Sequence, residues 1–157
     1  MTEVEDLVGR LVARRQTVAA AESLTGGLLT ATLVTVPGVS RVLRGGLVVY
    51  ATDLKHSLAG VDAALLAERG PVDPDVALAL ARGARERCGA DWGLSTTGVA
   101  GPGPQDGKPA GTVYVALAGP DGQADVRELH VDGDRQQVRD TAVAAVLGLL
   151  RAAVIDS

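Results

Sequence analysis

Three observations predict an α/β fold. Short apolar runs alternate with helix-period segments, aromatic side chains are nearly absent, and a tight-turn signal near residue 121 sits between two β-rich runs. The expected architecture is a single domain over residues 1–157 with a mixed β-sheet covered by helices on both faces, three layers of α/β/α. A chain of 157 residues is long enough to bury a substantial core without metals or disulfides. With no Phe, one Trp and two Tyr, that core must come from Ala, Val and Leu, which favours close approach of elements over bulky filling.

The elements follow in order. Val4, Leu7, Val8, Leu11 and Val12 mark one face of a helix over residues 3–15, with Thr2 and Glu5 as a capping box. Residues 17–21 read as a short buried strand that turns at Ser23 into a helix over 25–34, ended by Pro37-Gly38. A β-branched run at 47–50 follows Gly45-Gly46 as a second strand, with Tyr50 at its C-terminal end and Lys55 in the next short helix. Residues 62–69 form another small helix. Asp73 caps a longer one with Pro74 at its first position, and its expected buried face is Ala77, Leu80, Ala81, Ala84 and Cys88. A third strand spans 91–97. The stretch 98–111 holds five glycines and three prolines, a long loop of the kind that is usually functional or disordered. Strands at 113–117 and 124–131 pair as a hairpin through Pro120-Asp121-Gly122, and Asp134 with Gln137 opens a closing helix to residue 154. That helix is apolar nearly all round from Ala142 to Ile155, which implies deep burial or a subunit contact, and a homodimer or larger homo-oligomer is expected.

Composition excludes several function classes. A net charge of −4 without a basic stripe argues against nucleic-acid binding, so any phosphate must be held locally. Cys88 is alone and cannot form an internal disulfide. Glu3, Glu5 and Asp6 stand where a signal peptide would be basic, and the most apolar segment, 141–155, is broken by Arg151 and short of the roughly 20 residues a membrane helix needs. A cytoplasmic protein without membrane partners is expected. The glycine-rich loop fits neither phosphate-binding pattern: Pro102 and Pro109 stand where a Walker A loop requires Gly and Ser or Thr, and Asp106 stands where a dinucleotide fingerprint requires Gly. His56 and His130 are isolated, so no metal cluster is expected and no cofactor is implied.

The stretch 20–27, Ala-Ala-Glu-Ser-Leu-Thr-Gly-Gly, carries the chemistry. Ser or Thr before a helix is commonly an N-cap. A strand-to-helix turn, however, also exposes a side-chain oxygen above a sheet and aims backbone N–H groups at a ligand. Gly26 and Gly27 each cost roughly 1 kcal/mol in a first helical turn, and close approach of a ligand would justify them; a bulky residue at Gly26 should then cost turnover more than stability. In open α/β sheets the ligand site lies beyond the C-terminal ends of the strands. Ser23, Tyr50 and Thr97 occupy such ends, with Lys55 just after one. Serine needs a base, and lysine serves if its pKa falls from about 10.4 towards 7, a change of roughly 4 kcal/mol that burial supplies. Lys55 and Lys108 are the only lysines, and arginine cannot act as a base at neutral pH.

These residues resemble the CinA C-terminal domain family, whose standalone members include bacterial nicotinamide-nucleotide amidases. The matching segments are 21–27, Pro37-Gly38-Val39-Ser40, Gly45 to Tyr50 followed by Lys55, Thr97-Gly98-Val99-Ala100-Gly101-Pro102, Lys108 to Val113, and Gly133-Asp134-Arg135; their order and spacing together are specific. The resemblance implies a metal-independent hydrolysis of the carboxamide of nicotinamide mononucleotide to nicotinic acid mononucleotide and ammonia. Ser23 would attack the amide carbon, and Lys55 would take its proton and pass it to ammonia. Tyr50 and Thr97 would orient that pair or steady the oxyanion. Backbone N–H groups at Thr25, Gly26 and Gly27 or at Gly98 are candidate oxyanion donors, each worth about 10²–10³ in rate when well placed. Arg135 and Arg139, four apart at the start of the last helix, are candidates for the nucleotide phosphate, or else an ordinary solvated face.

The chain departs from the family pattern at two places. The family often has Gly-Gly after the Ala-Gly-Pro of the long loop, where this chain reads Gly103-Pro104-Gln105-Asp106-Gly107, and it often has Ser at Asp73. The additional N-terminal domain of longer relatives, which resembles molybdopterin-binding proteins, has no counterpart in these residues, and its activities are expected to be absent. Two rival readings stay open: a non-catalytic nucleotide-binding or regulatory module linked to competence or damage response, and an amidase acting on another small amide.

Overall fold

The computed structural model describes residues 1–156 and contains six α-helices and a five-stranded sheet. Helix α1 (Glu3–Arg14) starts with the expected capping box: Glu5 N donates to Thr2 Oγ1 and Thr2 N donates to Glu5 Oε2, both at 3.1 Å. Strand β1 (Val18–Glu22) is buried along its whole length, as an interior strand of a sheet covered on both faces must be. Then come α2 (Leu28–Val34), β2 (Leu43–Val48), α3 (Thr52–Ser57), α4 (Ala63–Arg69), α5 (Pro74–Cys88), β3 (Trp92–Gly98), β4 (Thr112–Ala118), β5 (Ala124–His130) and α6 (Arg135–Asp156).

The strand order is β2-β1-β3-β4-β5. β1 runs parallel to both β2 and β3, which the helical crossovers allow; β4 is antiparallel to β3 and to β5, the latter through the Pro120–Gly122 turn. Strand alternation sorts the side chains of β1: Ala20 faces a core with Leu7, Leu11, Leu29 and Leu150, while Ala19 and Ala21 face Val76, Leu80 and Ala84. Helices α1, α2 and α6 therefore cover one face and α5 the other. Asp73 caps α5 as expected, accepting from Asp75 N (2.8 Å) and Val76 N (3.2 Å). The scarcity of large side chains appears as close approach: a Cβ on Gly93 would stand 2.0 Å from the Ala81 carbonyl oxygen of α5. One face of α6, including Ala142, Val146 and Leu150, is buried in the core, while Ala144, Gly148 and Ile155 of the same apolar run stay exposed. Among the described residues no helix is long and apolar enough to cross a membrane.

Three local expectations are corrected. The second strand is Leu43–Val48 rather than 47–50, because Gly45 and Gly46 lie inside it. Glycine is needed at 46, where a Cβ would fall 2.2 Å from Thr30 Oγ1 of the overlying helix. Helix α2 begins at Leu28 rather than 25, because Gly26 and Gly27 have φ of +57° and +107°, outside the right-handed helical region. Cys88, the last residue of α5, is only partly buried.

The contact at Gly46 yields an expected result. Gly46→Ala must displace a hydroxyl that is itself hydrogen-bonded, and it should lower stability by about 1–3 kcal/mol, the usual cost of overpacking. A urea-denaturation midpoint equal to that of the wild type would contradict the close packing of α2 on β2.

Candidate active site

The site forms where β1, β2 and β3 end. The chain leaves β1 at Glu22, and Ser23 N donates to Thr96 O (3.0 Å) of β3, so the parallel ladder holds the serine one residue beyond the strand. Next door, Val49 N donates to Glu22 O (2.8 Å), which fixes the segment after β2 beside the same turn. Helix α3 starts three residues later and carries Lys55 on its inner face. Lys55 is 1% exposed. Its Nζ donates to Ser23 Oγ at 2.9 Å, to Val49 O at 2.8 Å and to Tyr50 O at 3.0 Å.

This geometry has a chemical consequence. An ammonium has three N–H bonds, and the three acceptors use all of them. When the amine is neutral, the two carbonyls still take its two N–H bonds, and the lone pair is left facing Ser23 Oγ. The two main-chain carbonyls thereby aim the lone pair of the neutral amine at the serine oxygen. Burial lowers the Lys55 pKa from 10.5 to about 8, with the Asp106 carboxylate opposing the shift. At neutral pH roughly a tenth of the molecules then carry the neutral amine, against well under a thousandth for a solvated lysine.

The Ser23 turn is anchored by a residue just beyond the strand expected at 17–21, to which the sequence pattern alone gives no role. Glu22 is fully buried. Its Oε1 accepts from Thr25 Oγ1 (2.7 Å), Gly27 N (3.2 Å) and Leu29 N (2.8 Å), and its Oε2 from Thr30 N (2.9 Å) and Thr30 Oγ1 (2.6 Å). Glu22 therefore satisfies the orphan donors of α2 that an N-cap side chain would ordinarily take, and its negative charge stands at the positive end of the helix. Because Thr25 gives its only hydroxyl hydrogen to Glu22, it accepts from Thr96 Oγ1 at 2.7 Å. An acid ahead of a hydroxyl- and glycine-rich turn was the available signal.

The remaining expected residues divide. Tyr50 does belong to the site, but through its carbonyl: its side chain is 57% exposed, and the phenol meets Arg135 Nη2 (3.3 Å) rather than the Ser–Lys pair. Thr97 lines the cleft, yet its hydroxyl donates to Pro71 O (2.6 Å) and so pins the loop ahead of α5 rather than orienting the dyad. Thr25 has a buried side chain committed to Glu22 and can meet a ligand only through its backbone. Gly26 N donates to Ser23 O (3.1 Å) and Gly27 N to Glu22, so neither is available as an oxyanion donor. Among the described residues the Leu24 and Thr25 amides have no protein acceptor, which leaves them as the donors of this turn. Gly26 and Gly27 have positive φ, a backbone region that favours glycine, so a bulky residue at Gly26 is strained whatever binds there. Gly98 ends β3 in the wall of the cleft, where a Cβ would stand 2.7 Å from Thr112 O.

The two arginines also differ. Arg139 donates from Nε to Leu24 O (3.0 Å), from Nη2 to Thr25 O (2.9 Å) and from Nη1 to Gln136 Oε1 (3.0 Å). It braces the Ser23 turn, which commits these three N–H groups within the chain. Arg135 donates to Gly101 O (2.7 Å) and to the Tyr50 hydroxyl, so it stands exposed at the rim where the long loop and the segment after β2 meet. The cleft itself is lined by Ser23, Tyr50, Thr52, Lys55, Pro71, Val72, Thr97, Gly98, Gln105 and Asp106. A larger apolar groove lies elsewhere, between α1, α2 and α6.

Fold and site together define the class, a three-layer α/β/α domain that pairs a serine hydroxyl with a buried lysine amine at the ends of its parallel strands. The chain belongs to the CinA C-terminal domain family, whose model matches residues 2–154. It is 52% identical over 145 residues to a CinA-like protein of Frankia casuarinae, covering 92% of this chain and 33% of that protein. To a putative competence-damage inducible protein of Lactiplantibacillus plantarum it is 42% identical over 151 residues, covering 96% of this chain and 36% of that protein. The chain thus spans about a third of the length of these curated relatives. Crystal structures of CinA superfamily proteins are similar throughout. The one from Escherichia coli gives a TM-score of 0.90 at 34% identity, covering 96% of this chain and 88% of that one. The one from Klebsiella pneumoniae gives 0.90 at 30% identity, covering 98% and 99%.

Proposed function

We propose that this domain hydrolyses the carboxamide of nicotinamide mononucleotide, with Ser23 as nucleophile and Lys55 as base. The observation that carries the proposal is the 2.9 Å contact between Ser23 Oγ and a buried amine whose other two partners are main-chain carbonyls. A module that only binds nucleotides has no need to bury a lysine against a serine.

In the first half-reaction Ser23 Oγ attacks the carboxamide carbon and its proton passes to neutral Lys55 Nζ. The oxyanion is stabilised by backbone N–H groups, for which the Leu24, Thr25 and Gly98 amides are the candidates. As the C–N bond breaks, the Lys55 ammonium returns the proton to the leaving NH₂ group, giving ammonia and an ester on Ser23. In the second half, water gives a proton to Lys55 as it attacks the ester carbon, and Ser23 Oγ leaves with that proton, releasing the carboxylic acid. Arg135 at the rim is the remaining candidate for the nucleotide phosphate.

Incubating the protein with nicotinamide mononucleotide and measuring ammonia together with the acid product tests the reading; no ammonia from any pyridine nucleotide would overturn it. If another small amide is turned over instead, the site is retained and the substrate is corrected. The pH dependence has a definite sign. The reactive form is the deprotonated amine, so kcat/KM should rise about tenfold per pH unit below the Lys55 pKa and level off above about 8. A profile flat from pH 6 to 9 would remove Lys55 from the role of base, and a Lys55 pKa near 10 in the nucleotide complex would favour the non-catalytic reading.

A further inference from the structure

In the loop after β3, residues 105–108 have a definite shape. Gln105 N donates to Lys108 O (3.0 Å) and Lys108 N to Gln105 O (2.9 Å), closing a two-residue hairpin with Asp106 and Gly107 at its tip. Their φ values are +51° and +75°, both positive as a type I′ turn requires, and Asp-Gly is among the pairs that favour it. The long loop is therefore not structureless. It is a small preformed arm whose tip reaches the cleft that holds Ser23 and Lys55. Among the described residues lining that cleft, Asp106 is the one carboxylate and Lys55 the one cation.

The ligand charge that a carboxylate placed there would favour is a cation. The ring of an N-glycosylated nicotinamide is a pyridinium cation, whereas its 1,4-dihydro form and simple amides are neutral. We propose that Asp106, held at the tip of the 105–108 hairpin over the Ser23–Lys55 cleft, selects carboxamides borne on a cationic ring over neutral ones. The proposal rests on the amidase reading and sharpens it by naming the substrate class. Asp106 is exposed, and a carboxylate a few ångströms from a ring cation at a protein surface is worth roughly tenfold in discrimination. It also holds Lys55 closer to its protonated form in the empty site, and a bound cation would offset that influence.

The test compares nicotinamide mononucleotide with its 1,4-dihydro form, which keeps the ribose, phosphate and carboxamide but carries a neutral, reduced ring; because ring reduction also makes the carboxamide less electrophilic, the turnover readout is the change in the ratio between wild type and variant, not the ratio itself. Dissociation constants are measured by calorimetry and kcat/KM by ammonia release, for the full chain and for Asp106→Asn. Asn favours the same positive-φ turn position, so the hairpin should survive the substitution. The expected result is a wild-type preference for the cationic form that falls about tenfold in the variant, in both readouts. A ratio that changes by less than twofold, or a wild type that binds the two ring forms equally, overturns the proposal. Failure of the amidase reading looks different: neither compound yields ammonia, while the ratio of dissociation constants still reports on Asp106.

Discussion

Ser23→Ala and Lys55→Met are each expected to lower kcat for ammonia release by on the order of 10³–10⁶-fold, and the double variant should be little worse than either single one. Nucleophile and base act as one unit, so removing either forfeits nearly the whole effect. Met is a better test at position 55 than Arg. Lys55 is 1% exposed and its amine touches three acceptors, so the larger guanidinium could not enter without displacing the Ser23 turn. Loss of turnover in Lys55→Arg would therefore confuse lost basicity with a disturbed fold. Met keeps the aliphatic stem and removes only the amine.

A stability measurement on the same variant reads the lysine independently of any substrate. The native-state pKa lies near 8 and the ordinary value is 10.5. Between those limits the unfolded chain holds a proton that the native chain has lost, so native stability gains relative to the unfolded state as pH rises through that window. The stability difference between wild type and Lys55→Met should thus move in favour of the wild type from pH 8 to about 10.5. A difference independent of pH would mean that Lys55 is not desolvated in the native protein. Full turnover in Ser23→Ala would end the Ser–Lys mechanism altogether.

The second large effect is on folding. Glu22→Ala would leave three backbone N–H groups and two threonine hydroxyls without their acceptor in a buried environment. Removing one side of a buried charge-assisted network typically costs about 3–5 kcal/mol, a large part of the roughly 5–15 kcal/mol by which a domain of this kind is stable. Glu22→Gln should cost less but still be severe, because the amide nitrogen would point a donor at donors. Urea denaturation followed by far-UV circular dichroism checks both variants. An alanine variant within 1 kcal/mol of the wild type would mean that α2 and the Ser23 turn do not depend on the carboxylate. Because the same network supports the nucleophile, surviving activity in Glu22→Gln should fall as well, through misplacement of Ser23 rather than loss of a reacting group.

Much of the fold was legible from local pattern. The i, i+3, i+4 spacing of Leu7, Val8 and Leu11, the Thr2/Glu5 capping box, Asp73-Pro74 at the head of α5 and the Pro120-Asp121-Gly122 turn all report on structure within a few residues, and all stand where expected. Glycines were harder to read. Gly26 and Gly27 looked like concessions to a ligand, yet the backbone there has positive φ whatever binds. Gly45 and Gly46 looked like a turn before a strand, yet they lie inside one, and at Gly46 it is Thr30 of the overlying helix that leaves no room for a Cβ. A glycine records that a side chain is forbidden; what forbids it comes from another part of the chain.

The sequence by itself determined the order of elements and the pairing of a serine after one strand with a scarce lysine after the next, since hydrophobic period, caps and composition are properties of neighbouring residues. Only the tertiary structure decided which polar atoms the site uses. Lys55 became a candidate base because Val49 and Tyr50 turn their carbonyls onto it, the Tyr50 hydroxyl meets Arg135, Thr97 gives its hydroxyl hydrogen to Pro71, Arg139 braces the Ser23 turn, and Glu22 replaces the missing cap of α2. The physical reason is that a buried polar group must be satisfied by whatever partner the fold delivers, and those partners lie up to 115 residues away along the chain.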